Sequence, residues 1–296
     1  MSDNLPEYLG EIHTIIKREV YSFLQPGVKL YDVRRFVESK IEEQNLGIAF
    51  PVGVNLNECA AHHSPFRNET KELKEGDLIT VDFGIQKDGQ IIDSAFTKEI
   101  ITENYHDLID ASRIAVETAI MAMKPGVRLA DIGYLINKTV KGLGYNVVDS
   151  LCGHRIGKYK IHDQKIVPCI PLPKYQECIE AGEIYAVEVF TTKSPQKLFE
   201  VDNISHYCIN YLEPKKAMDI PNEQIRRQYL NVMKKWNTLP FHIDTVGIEE
   251  IVKYYTMNGY MLKYPPLYAN EVVAHWEHTI KITESGTKKL TGDPVP

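Results

Sequence analysis

Cysteine is scarce and unpatterned in this chain. Its five cysteines, Cys59, Cys152, Cys169, Cys178 and Cys208, include no C-x-x-C pair. An odd, scattered set argues against a disulfide framework and fits reduced thiols in a cytoplasmic protein. Long apolar runs are missing too, so no segment reaches the length that spans a bilayer, and no membrane partner is expected. The first residues, "MSDNLPEYLGEIH", lack the basic and then apolar order of a signal peptide. Positive charge is not in excess. A net charge of −6 gives no electrostatic reason to expect specific nucleic-acid binding. What remains is the balance of an ordinary globular protein, 43% hydrophobic and 25% charged over 296 residues. That length suffices for one large domain or two small ones with a substantial core.

The segment "VDFGIQKDGQIIDSAFT", from Val81 to Thr97, reads as a β-hairpin. Two runs rich in β-branched and aromatic residues flank Lys87-Asp88-Gly89-Gln90, and Asp-Gly is a strong hairpin-turn signal. The hairpin is expected to bring Asp82 and Asp93 near one end of the paired strands. Two bare carboxylates that close repel each other and lose water, so something must neutralise them.

An internal repeat supplies the next clue. "LQPGVKLYDV" from Leu24 recurs as "MKPGVRLADI" from Met123. Helical apolar spacing precedes each copy, over Tyr8 to Leu24 and Tyr105 to Met123, and another helix is expected after each. A second match joins "EGDLITVD", ending at Asp82, to "AGEIYAVE", ending at Glu188. Both read as strands with one buried face that finish on an acid. Helix, PGV, helix, strand and acid thus occur twice, which predicts two α+β halves related by duplication. Acids at matching places could converge on one cleft.

Two further residues extend the set. His154 in "CGHRIGKYKIH" lies between glycines at i−1 and i+3, where backbone can approach a bound group. Glu277 in "HWEHTIKI" opens an apolar-alternating strand. Each member alone has an ordinary reading: a solvated hairpin edge for the aspartates, a satisfied loop histidine, a strand-face charge for Glu277. Glu188 is the least ordinary, because an acid inside the apolar strand "YAVEVF" is costly unless paired or metal-bound. Together Asp82, Asp93, His154, Glu188 and Glu277 form a donor set suited to divalent manganese, iron or cobalt better than to a thiolate zinc site.

These motifs, with "AFPVGVNLNECAAHHSP", "ISHY", "YPPL" and "WEHTI", make the chain resemble the methionine aminopeptidases of the second type, within the pita-bread metallopeptidases of peptidase family M24. The resemblance runs from Ala49 to Ile280. It implies a single α+β pita-bread (creatinase/aminopeptidase) domain over residues 1–296 with a pseudo-twofold internal repeat. A helical subdomain over 207–262, absent from the first type of the family, would be inserted within it. It further implies two divalent ions per chain (cobalt, manganese or iron, with zinc as a further candidate). Asp82 would bind one ion, His154 and Glu188 the other, and Asp93 and Glu277 would bridge them. His62, directly after "CAA", would meet the substrate at the scissile peptide and help stabilise the oxyanion. By the same resemblance His62 would be the residue that fumagillin-type epoxides alkylate, with His63 facing away because neighbours in an extended segment alternate. His162 would be a second substrate-contacting histidine. Phe50, Ile161, His206 and Tyr264 would line a methionine pocket, although Phe50 and Ile161 would look the same as core, and His162 and His206 the same as buried, merely hydrogen-bonded histidines.

In that reading Glu188 relays a proton to the leaving amine. The expected reaction removes the first methionine from nascent polypeptides whose second residue is small. Nascent N-termini are then the partners, with transient ribosome contact and a monomeric enzyme. Three departures from the family lie near the cleft: His63 replaces a usual tyrosine, His275-Trp276 replaces a usual Gln-Phe, and "TTKSPQKLFEV" lacks glycines often found there. Two rival readings share the fold. A proline-directed peptidase would lack the insertion and the "CAAHH" segment. A non-catalytic paralogue that binds RNA or proteins would lose ligands and carry basic patches.

Overall fold

The structure is a computed structural model describing residues 4–246 and 249–295. The single-domain and insert expectations therefore lie outside the described residues at 1–3, 247–248 and 296. The chain combines helices and sheets in an α+β arrangement. Helix α1 (Leu5–Phe23) starts with Pro6 in its first turn, where a missing N–H costs nothing. Leu9, Ile12, Ile16 and Val20 recur at helical spacing and are all buried. In α4 (Leu129–Gly142), reached after α2 (Leu30–Glu43) and α3 (His106–Ala122), the same stripe is Leu129, Ile132, Ile136 and Val140. Fully burying each such side chain contributes about 1.5–3 kcal/mol. One continuous core joins both stripes to the strands.

The repeat is visible in backbone hydrogen bonds. Gly27 and Gly126 both adopt positive φ, 86° and 85°, as the Pro-Gly turn between helices requires. Gly27 N–H donates to Leu73 O at 2.8 Å, and Gly126 N–H donates to Ile179 O at 2.9 Å. Leu30 N–H donates to Lys71 O, and Leu129 N–H donates to Glu177 O, each at 2.9 Å. Each half thus clips its second helix to the segment leading into its acid-bearing strand.

In the first half strand Leu78–Lys87 pairs with Gln90–Glu99 in a hairpin. Asp88 and Gly89 both have positive φ, the pattern of a type I′ turn. The hairpin is longer than the sequence suggests. Asp82 and Asp93 sit in mid-strand, with Asp82 opposite Ala95 and Asp93 opposite Gly84, and not at the hairpin's ends. In the second half strand Ile184–Thr192 lies between Gly153–Gly157 and Ala274–Ile282, with Glu188 directly opposite Glu277.

Side-chain hydroxyls lace the two sheets together. Thr97 Oγ1 donates to His275 O and accepts from His275 N–H, both at 2.8 Å. Thr279 Oγ1 likewise accepts from Asp93 N–H at 2.8 Å and donates to Asp93 O at 2.5 Å. Ser94 Oγ donates to Glu277 O. These bonds carry Asp93 beside Glu277 across the boundary between the halves.

Residues 206–264 interrupt the second half. They hold α5 (Glu223–Trp236), α6 (Glu249–Met257) and a three-stranded sheet with His206–Ile209 between Phe241–His242 and Met261–Tyr264. Tyr207, Tyr229, Phe241, Val252 and Tyr255 form a separate core there. The strands are a correction to a purely helical expectation, because each is too short for its alternation to be read.

Candidate metal centre

One cavity of about 410 Å³ gathers the candidate residues. Asp82, Asp93, His154, Glu188 and Glu277 line it, and so do His62, His162, Phe50, Ile161, His206 and Tyr264. Strand alternation explains the convergence, since residues two apart share a face. Asp82 and Gly84 face the cavity side of one strand, and Gly84 makes room for Phe50: a Cβ there would lie 2.4 Å from Phe50 Cε1.

The donor atoms form two groups that share Glu277. One contains Asp93, His154 and Glu277, and the other contains Glu188, His275 and Glu277, each within a 4.8 Å span. His154 Nε2 lies 3.7 Å from Asp93 Oδ2 and 3.9 Å from Glu188 Oε1. Asp82 lines the same cavity but stands outside both groups. His275 escaped the sequence reading as a site residue. Its position two before Glu277 on one strand was the signal that could have found it.

Electrostatics marks the cluster as incomplete. Burial drives the Asp82 carboxyl up to about 6, and the Glu188 carboxylate adds to that rise against His275 and Lys17. Burial likewise pushes Glu188 up to about 8. Asp93 and Glu277 are raised well above the carboxylate range, first by burial, then by Asp82 and Glu188 for Asp93 and by Asp93, Glu188 and Asp82 for Glu277. Beneath them Lys17 is fully buried, donates to Ser94 Oγ, and is lowered by burial to about 7. Asp82 Oδ1 and Asp93 Oδ1 are buried without any hydrogen-bond partner. Such atoms are costly in an interior unless something compensates them. A divalent cation relieves both the burial and the repulsion, so the residues fit one. His154, lowered by burial and by His162, is neutral as a ligand must be. Oxygen donors with few nitrogens suit manganese, iron or cobalt. A third group, Glu117, His278 and Asp293, already has the Lys289 ammonium 2.7 Å from Glu117.

The glycine before His154 has a different cause from the one expected. A Cβ on Gly153 would lie 2.5 Å from Ala186 O, so close sheet packing demands it, not a bound group. The premise about His62 and His63 also changes. His62 has φ +64°, so the chain turns there instead of running extended. His62 enters the cavity, while His63 turns away, with Nδ1 2.8 Å from Val54 O and Nε2 3.3 Å from Glu69. The His62 ring lies edge-on to Tyr264, and its Nδ1 is 3.2 Å from Pro265 O. A carbonyl only accepts, so Nδ1 carries the proton, and burial keeps the ring neutral. Nε2 is then an acceptor. The oxyanion contact expected from the sequence would need a donor at that nitrogen. His162 packs edge-on against His154 at 4.4 Å between centroids, and His206 Nδ1 lies 3.0 Å from Ser205 Oγ.

Residues 7–284 match the profile of metallopeptidase family M24. Over 286 residues the chain is 33% identical to a methionine aminopeptidase of Thermococcus onnurineus, covering 94% of this chain and 95% of that protein. It is 32% identical to methionine aminopeptidase 2 of Encephalitozoon intestinalis, covering 95% of this chain and 84% of that protein. Its fold is similar to that of a thermophilic Arx1, with a TM-score of 0.84 at 20% identity over 100% of this chain and 93% of that one. That likeness speaks for the fold alone. A family match over most of its length, and relatives this similar from end to end, place the chain in metallopeptidase family M24, among its methionine aminopeptidases.

Proposed function

We propose that this metallo-aminopeptidase removes the N-terminal methionine from nascent polypeptides whose second residue is small, using two divalent ions. The observation that carries the reading is the convergence of four carboxylates, Asp93 and Glu277 buried and Asp82 and Glu188 half-buried, with His154 in one cavity that also holds His62 and an apolar wall. Asp82, Asp93, His154, Glu188 and Glu277 would hold the ions. When bound, the ions supply Lewis-acid polarisation of the scissile carbonyl and a nucleophile acidic enough to form near neutral pH. Phe50, Ile161, His206 and Tyr264 receive the methionine side chain, whose flexible thioether adapts to an apolar wall. His62 accepts a hydrogen bond at Nε2 from the scissile N–H and so orients the peptide. Glu188 takes a proton from the attacking water and returns it to the departing amine, a dual role open to a carboxylate that touches the reacting water.

The test is hydrolysis of peptides beginning Met-Ala, Met-Val, Met-Lys and Ala-Pro by manganese- or cobalt-loaded protein, alongside metal analysis. Met-Ala and Met-Val should be cleaved, and Met-Lys and Ala-Pro left intact. Cleavage confined to Ala-Pro would replace this reading with a proline-directed one. Fewer than two ions per chain at saturation would overturn the dinuclear part.

A further inference from the structure

The imidazole of His275 has no hydrogen bond on either ring nitrogen, although the residue is only 1% exposed. Buried polar side-chain atoms ordinarily have partners, and this one is held in place without any. Its ring stacks on Phe190 at 3.7 Å between centroids and 16° between planes. Its backbone N–H and C=O are both tied to Thr97 Oγ1. The nitrogen Nε2 points at the carboxylates, 3.0 Å from Glu188 Oε2 and 3.9 Å from Glu277 Oε2.

We propose that His275 is a metal ligand, its Nε2 sharing one cation with Glu188 and Glu277. Bonds of about 2.1 Å at right angles put two donors about 3 Å apart, and no two donors of one ion exceed about 4.2 Å. Both measured separations satisfy that limit. The 3.0 Å approach to Glu188 does not satisfy hydrogen-bond geometry, because Nε2 remains without a partner. Glu188 lies between two imidazoles, with Oε1 toward His154 and Oε2 toward His275. The centre thus has two nitrogen donors, which shifts its preference from manganese toward cobalt, iron or zinc.

This inference rests on the dinuclear reading, and the experiment separates the two. Metal-free protein is titrated with Co²⁺, and the loaded protein is examined by X-ray absorption, which counts imidazoles. Wild type should bind two cobalt ions with two imidazoles between them. His275→Gln should retain one imidazole and lose about tenfold or more in affinity for one ion, with a smaller loss for Mn²⁺. A single imidazole per cobalt pair in wild type overturns the proposal, whatever the variant does. An unchanged imidazole count and affinity in a folded His275→Gln does the same. One cobalt bound by two imidazoles would uphold His275 and overturn the dinuclear reading. One cobalt with one imidazole, or no cobalt, would overturn both.

Discussion

The two halves share a backbone plan but not a chemistry. Each runs helix, Pro-Gly turn, helix, glycine and acid-bearing strand, with Asp82 and Glu188 both fifth in their strands. The register also corresponds on the neighbouring strand. Asn55 faces Thr80, two residues before Asp82, and His154 faces Ala186, two residues before Glu188. Asn55 uses its amide oxygen to accept from His63 N–H at 3.0 Å and from Cys59 Sγ, so it serves the fold. His154 instead puts an imidazole beside Asp93 and Glu277 at the matching place. Connection differs as well. A two-residue turn joins the hairpin strands of the first half, whereas residues 193–273, with the insert, separate the corresponding strands of the second. Duplication supplies the frame, and side chains at equivalent register decide what each half contributes.

The largest expected effect tests whether both halves are indispensable. Asp93→Ala and Glu277→Ala should each lower kcat/KM by about a thousandfold or more, and metal analysis should show an ion lost. Asn55→Ala should keep both ions and cost stability only. If Glu277→Ala retained both ions and near-normal turnover, Glu277 would not join the two halves at the cluster.

Packing separates the halves next. A Cβ on Gly153 would meet Ala186 O at 2.5 Å, whereas one on Gly53 would meet its nearest neighbour, Asn55 Nδ2, at 3.2 Å. Gly153→Ala should destabilise by about 2–3 kcal/mol and Gly53→Ala by about 1 kcal/mol or less. Urea unfolding of the two variants reads this directly, and equal losses would erase the distinction.

The last comparison concerns proton linkage in metal-free protein, where the effect per pH unit is small. The folded Glu188 carboxyl, at about 8, holds its proton above the ordinary value of 4.5, so between these limits the folded state binds more protons than the unfolded. Stability contributed there falls as pH rises, by up to about 1.4 kcal/mol per pH unit. Wild type should lose that much relative to Glu188→Gln across about pH 5 to 8. The comparison with Gln removes the opposing contributions of Lys17 and the buried histidines. For Asp82, at about 6, the matching loss relative to Asp82→Asn should end some two pH units lower. Saturating Mn²⁺ should abolish both slopes, and slopes unchanged by metal would remove the cation from the explanation.

Much of this was legible from short-range pattern. The Pro-Gly turns, the Asp-Gly hairpin and the helical stripes each lie within a few residues, where sterics and periodicity act directly. Glu188 was legible as a candidate because an acid inside an apolar strand requires compensation, and Asp82, Asp93 and Glu277 followed from the hairpin and strand patterns; His154 was picked out by a glycine that sheet packing explains. The strands of the insert were not, since Phe241–His242 is only two residues long. The neutral acceptor at His62 was also hidden, because it depends on Pro265 O, 203 residues away.

By itself, then, the sequence determined the repeated frame, the turn types and which side chains share a strand face, because those follow from local backbone geometry. Tertiary structure alone decided that Asp93 meets Glu277 and that Glu188 comes to lie between His154 and His275. The physical reason is the lacing by Ser94, Thr97 and Thr279, whose hydroxyls join strands more than 170 residues apart. No periodicity encodes such contacts. They exist only once both halves have folded and packed.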